Sequence, residues 1–166
     1  VQSQERGLFF LNSTPPLPAK ALLKKRSASR LMAIQALYQA MQGYGDIEEL
    51  AADFSQGGLS RFLKYEGIEG DLTYFNAILA PFVGEDLSLF DEKISSFLTH
   101  PWHVDRLEPL LLAILRLGAS ELWKQSDVST PLILNEYVTL AHGFFSRKEP
   151  ALVHAVLDKL ACLFRP

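Results

Sequence analysis

Residues 107–123 read LEPLLLAILRLGASELW, and only Glu108, Arg116, Ser120 and Glu121 among them are strongly polar. At helical spacing the apolar side chains then point in almost every direction, which marks a helix enclosed by neighbours rather than one lying on a surface. Pro109 fits the first turn, where its missing N–H would have had no intrahelical partner, and Glu108 just before it can cap the free amides. The run is shorter than the roughly 20 apolar residues a bilayer requires. Arg116 and Glu121 would each cost about 2.5 kcal/mol or more at mid-membrane. Gly118 allows a neighbour to approach closely. These features predict a central helix that the rest of the chain wraps.

On both sides of this run the hydrophobic period stays helical. A pattern over residues 21–42 places Leu31, Ile34, Leu37, Tyr38 and Met41 on one face. Asp46 is the expected cap of DIEELAADFSQ, which Gly57 and Gly58 end. Residues 60–70 are ambiguous, a short helix and a turn. Asp71 is the expected cap of DLTYFNAILAPFVG, with Leu72, Phe75, Ile78, Leu79 and Phe82 inward. EDLSLFDEKISSFL follows with Leu87, Phe90, Ile94 and Leu98 inward, and Thr99-His100-Pro101 breaks the pattern before Trp102. After a polar loop, Thr130-Pro131 reads as a cap and first helical residue, and Leu134, Tyr137, Val138 and Ala141 share a face. Residues 146–149 read as a connection, and Pro150 as the opening of a last helix with Val153, Val156, Leu157, Leu160 and Phe164 inward. The fold class expected is all-α, about seven helices joined by short loops.

A chain of 166 residues with 48% hydrophobic and 21% charged residues reads as one globular domain. The domain is expected over residues 20–166, preceded by a flexible lead at 1–19 with three prolines. The single cysteine, Cys162, excludes an internal disulfide, and its apolar neighbours predict a buried thiol. GLFFL is too short for a signal-peptide core, which leaves a cytoplasmic compartment as the expectation.

Net charge is −3, but its distribution is uneven. Residues 1–45 carry six Lys/Arg against one acid, whereas residues 46–166 carry ten against eighteen. Lys24, Lys25, Arg26 and Arg30 fall in the first turns of a predicted helix, where cations oppose the macrodipole and repel one another. A helix built only for stability would carry acids there, so the basic run predicts a phosphate-bearing partner. No enzyme is expected: GxSxG, P-loop and GxGxxG patterns are missing. His100, His103, His142 and His154 have no metal-ligand spacing, so neither a metal nor a cofactor is expected. Arg116, Glu121 and Glu136 read as structural ion pairs tying the central helix to its neighbours.

Three stretches, taken in order, resemble the NusB family of transcription antitermination and ribosome-biogenesis factors. They are RLMAIQALYQ (30–39), RLEPLLLAILRLGASELW (106–123), and TPLILNEYVTLAHGFF (130–145) with EPALVHAVLDKL (149–160). The resemblance implies two small helical subdomains that bind boxA-like RNA. It also implies pairing with the small-subunit ribosomal protein NusE in an antitermination complex with RNA polymerase acting on rRNA transcription. It places RNA contacts on Lys24, Lys25, Arg26 and Arg30, and a second set on Arg147, Lys148 and the start of the last helix. It places the ribosomal-protein surface near Tyr38 and Asp105. At the last helix the family's Phe-Val-Asn-Gly is replaced by Leu152, Val153, His154 and Ala155, and Ser27 stands where an arginine is usual. Leu152 cannot stack on a base as Phe does, and His154 does not offer an amide's paired donor and acceptor. A family module that keeps a protein partner without sequence-specific RNA binding is therefore the alternative. A third reading is the NusB-like front domain of some rRNA cytosine methyltransferases. A homodimer is compatible with the same exposed surfaces.

Overall fold

A computed structural model describes residues 25–57 and 70–166. The lead at 1–19, Lys24 with the expected start of the first helix, Gly58, and the ambiguous stretch up to residue 69 lie outside the described residues. Within them are seven α-helices, two 3-10 turns and no strand: α1 Lys25–Met41, α2 Ile47–Gln56, α3 Leu72–Leu79, α4 Asp91–Phe97, α5 Pro109–Lys124, α6 Thr130–Phe144 and α7 Lys148–Phe164. Helices α1, α2 and α3 pack together as one group, and α4 to α7 as another. The predicted central helix, α5, joins them by touching α1, α3, α4, α6 and α7.

Local chemistry accounts for most boundaries. Gly43 ends α1 at φ 80°, with Tyr44 N–H bonded to Gln39 O and Gly43 N–H to Ala40 O. This is the paired closure that favours glycine. Asp46 caps α2 by accepting from Glu49 N–H at 2.8 Å, and Asp71 caps α3 by accepting from Tyr74 N–H at 3.0 Å. Glu108 accepts from Leu111 N–H at 3.1 Å, so Pro109 does open α5.

Several expectations need correction. α1 is as enclosed as α5, with thirteen of its 17 residues buried. Its small residues Ser27, Ala28, Ser29, Ala33, Ala36 and Ala40 let neighbours approach closely on more than one side. α3 stops at Leu79 and continues only as a 3-10 turn, Ala80–Phe82, because Pro81 lacks an amide to extend the ladder. Leu72 in its first turn is exposed. α4 begins six residues later than its sequence pattern, because Asp86 accepts from Ser88 N–H at 2.9 Å and holds a turn there. Ser129, not Thr130, is the residue flanking α6, and α7 starts at Lys148, two residues before Pro150. Cys162 is exposed. It lies on the outer face of α7, beside Asp158, Lys159 and Leu163.

Gly118 meets a side chain rather than a backbone: a Cβ there would fall 2.8 Å from both methyls of buried Leu157. Arg165 closes the opposite end of α5. Its guanidinium donates to the carbonyls of Leu122 (2.7 Å), Gln125 (2.7 Å), Val128 (2.5 Å) and Glu121 (3.3 Å). These include carbonyls left free at a helix end, where the macrodipole also favours a cation. No helix among the described residues is long and apolar enough to cross a membrane.

Candidate nucleic-acid interface

The basic run of α1 divides into an outer and an inner part. Lys25 and Arg26 are exposed in the first turn. Arg30, one turn further, is only 2% exposed. Its Nε and Nη2 donate to both carboxylate oxygens of Glu121 at 2.6–3.1 Å, and Glu121 is itself fully buried in α5. Arg30 Nη1 also reaches Glu136 of α6 at 3.2 Å, and Ser27 Oγ donates to the same carboxylate oxygen at 2.5 Å. Arg30 is therefore removed from the RNA-contacting set. Its donors serve the junction of α1, α5 and α6.

Glu121 is the hub of that junction. Besides Arg30 it accepts from Tyr137 Oη at 2.7 Å and from Tyr74 Oη. Burial would pull the Arg30 guanidinium down, but the hydrogen bond and charge of Glu121 outweigh it and hold Arg30 above its ordinary range. Burial pushes the Tyr137 phenol well up, and the Glu121 charge adds to this. Tyr74 is shifted upward by the same two causes. A buried ion pair is tolerable when its remaining lone pairs and protons are satisfied, and these tyrosines do that.

The exposed cations of the predicted RNA-contacting set, here called the cationic rim, lie at the starts of two helices, α1 and α7. The Arg26 guanidinium carbon lies 4.4 Å from the centre of the Tyr74 ring. Among the described residues Arg26 has no carboxylate partner. On α7, Arg147 flanks the first turn, Lys148 opens it, and both are exposed. No side chain caps that helix, which leaves its first amides turned toward the same cationic end. The link between the two basic sites is α6: Glu136 meets α1, and α6 ends at Phe144, eight residues or about 12 Å further along its axis.

The other predicted residues divide by burial. His154 is exposed on α7, whereas Leu152 is only 9% exposed. Leu152 is thus a correction as well: it belongs to the apolar core and has no open face for a base. Ala155 is exposed, so its methyl does not enter a helix contact. Tyr38 is half-buried and Asp105 is exposed in the 3-10 turn Val104–Arg106. Arg116 pairs with Asp91 at 2.8 and 2.7 Å, tying α5 to α4 as an ion pair. Among the described residues no three His, Cys, Asp or Glu side chains converge as a metal site.

A family model described as NusB family matches residues 27–162. The chain belongs to the NusB family. Its curated relatives include the transcription antitermination protein NusB of Brucella anthropi, 41% identical over 92% of this chain and 89% of the relative. The protein of the same name from Brucella ovis is 40% identical over 92% of this chain and 88% of its own length. Among solved structures, T. maritima NusB superposes with a TM-score of 0.64 at 22% identity, covering 87% of this chain and 96% of that one. The NusB fold therefore extends over nearly the whole chain, including the helices that carry the rim.

Residues missed in the sequence reading are Tyr74, Ser27, Asp91 and Arg165. Tyr74 follows an Asp cap by three residues, a position that reads as ordinary helix surface. Arg165 stands beyond the last period, and nothing local ties it to α5.

Proposed function

We propose that this chain is a transcription antitermination factor that binds boxA-like RNA together with the ribosomal protein NusE, within an antitermination complex on RNA polymerase in the bacterial cytoplasm. The observation that carries this reading is the exposed cationic start of α1, at Lys25 and Arg26, on an otherwise acidic chain. Curated relatives at 40–41% identity bear the antitermination name. Lys25, Arg26, Arg147 and Lys148 supply phosphate contacts, which give affinity and position but no sequence choice. His154 and the uncapped amides of α7 are groups able to bond a base edge or a phosphate. Tyr38 and Asp105 are proposed on the NusE surface. The role is binding, not catalysis.

A second reading keeps the protein partner and drops sequence-specific RNA recognition. Buried Leu152 favours it, because the rim then lacks a stacking side chain at that position. Binding of a boxA-like RNA and its scrambled counterpart, with and without NusE and at two salt concentrations, separates the two. A boxA preference that grows with NusE establishes the first. Weak, salt-sensitive binding that is blind to sequence establishes the second. No RNA binding under either salt condition contradicts the cationic rim as an RNA site.

A further inference from the structure

We infer that Tyr74 of α3 is a positioning residue that holds Arg26 of α1 in place for single-stranded RNA, an inference that rests on the RNA-binding reading above. The Tyr74 ring is 5% exposed and has a guanidinium near it twice over, Arg26 at 4.4 Å and Arg30 at 5.3 Å from its centre. The two cations have different duties. Arg30 is consumed by Glu121 and Glu136, and it donates from Nη2 to Tyr74 Oη at 3.3 Å. Among the described residues the ring contact is the one side-chain interaction of Arg26, and no described carboxylate takes up its N–H donors.

Tyr74 itself is fixed at three points. Its hydroxyl donates to the buried Glu121 carboxylate, its amide is capped by Asp71, and its hydroxyl receives the Arg30 bond. Asp71 is locked to the start of α1 in turn, since its N–H donates to Ser29 Oγ at 2.7 Å and lies 3.3 Å from Lys25 O. The ring under Arg26 is thus anchored to α1, α3 and α5. A long side chain in a first helical turn ordinarily samples many rotamers, and ordering it on binding costs affinity. A ring beneath the guanidinium removes part of that cost, and a planar fork is the group suited to stack and bond a phosphate together.

Two guanidiniums, Arg26 and Arg30, thus share one ring, and only Arg30 of the two pairs with Glu121 and Glu136. Lysine at position 26 would keep the charge and lose the planar contact.

The test is a double-mutant cycle on RNA affinity with Arg26→Gln, Tyr74→Leu and the pair, using a single-stranded boxA-like RNA as probe. Tyr74→Phe and Arg26→Lys are controls, and thermal unfolding of every variant runs in parallel. The expected result is a loss of about three- to tenfold for Tyr74→Leu. Tyr74→Phe should keep near wild-type affinity, and the double variant should be no weaker than Arg26→Gln alone. Arg26→Lys should lose affinity while keeping the wild-type salt slope. Should Tyr74→Leu fail to fold, the free wild-type chain still decides: the Arg26 side-chain protons should be ring-current shifted upfield, and unshifted resonances overturn the inference. Additive losses, or an equal loss for Tyr74→Phe and Tyr74→Leu, overturn the positioning role while leaving the RNA reading intact. A wild-type chain that binds no RNA overturns both.

Discussion

Arg26 and Arg30 sit one turn apart on α1 and carry the same charge, yet they belong to different regions. Arg30 is inside, bound to Glu121 and Glu136, at a junction where α1, α3, α5 and α6 meet. Arg26 is outside, resting on Tyr74, one of a set of exposed cations that also holds Lys25 and, at the start of α7, Arg147 and Lys148. The comparison teaches that a basic run is not a single surface. One helical turn separates a charge that holds the fold from a charge left at the surface. The interior fixes the rim: Ser27, Arg30 and Glu136 anchor the first turns of α1 to α6, whose far end leads to Arg147.

Breaking the interior gives the largest expected effect. Glu121→Ala leaves Arg30 and two tyrosine hydroxyls without their shared acceptor, and should cost about 3–5 kcal/mol in urea unfolding. Replacing Arg30 and Glu121 together by apolar residues of similar volume should recover much of that loss. A double variant as unstable as Glu121→Ala would mean that the cluster does more than satisfy its own charges. Arg165→Ala comes next, at about 2 kcal/mol, because several carbonyls at the end of α5 lose a charged donor. Amide exchange should rise around residues 124–128 and stay unchanged in α1.

Alkaline pH opens the same interior. Tyr74 and Tyr137 have phenols raised above their ordinary value, so the folded state keeps both protons where the unfolded chain releases them. Their stabilising contribution is complete below the ordinary phenol range and is lost as pH rises above about 10, at roughly 1.4 kcal/mol per pH unit for each tyrosine. A flat stability profile between pH 9 and 11.5 would contradict this. Gly118→Ala should cost about 1 kcal/mol, the strain against Leu157 exceeding the helix-propensity gain of alanine. Smallest of all, Lys148→Gln should change stability by no more than about 0.5 kcal/mol. It should nevertheless reduce the salt dependence of RNA binding.

Much of the fold was legible because the apolar period is strong: LEPLLLAILRLGASELW announces its enclosure, and Asp46, Asp71 and Glu108 announce their caps. The NusB resemblance rested on the same helices. What sequence did not disclose is long-range. Whether Arg30 faces water or Glu121 depends on a residue 91 positions away, and no local pattern carries that information. Asp86 and Ser88 delayed α4 because a side-chain turn competed with the helix that the hydrophobic spacing favoured. Cys162 and Leu152 were misplaced for a related reason. An apolar neighbourhood in sequence does not say which side of a helix a residue occupies, and on α7 Leu152 is buried while Cys162 is exposed.

The most direct test of the account compares Arg26→Gln with Arg30→Gln, measuring thermal unfolding and the salt dependence of RNA affinity for each. The account predicts that Arg26→Gln leaves the fold largely intact and lowers the magnitude of the salt slope by about 0.7, the share of one phosphate contact on a single strand. Arg30→Gln should lower the unfolding temperature sharply and leave the slope unchanged in the folded population. A salt slope unaffected by Arg26→Gln, or one reduced by Arg30→Gln without loss of stability, would contradict the division of α1 into a structural interior and a binding rim.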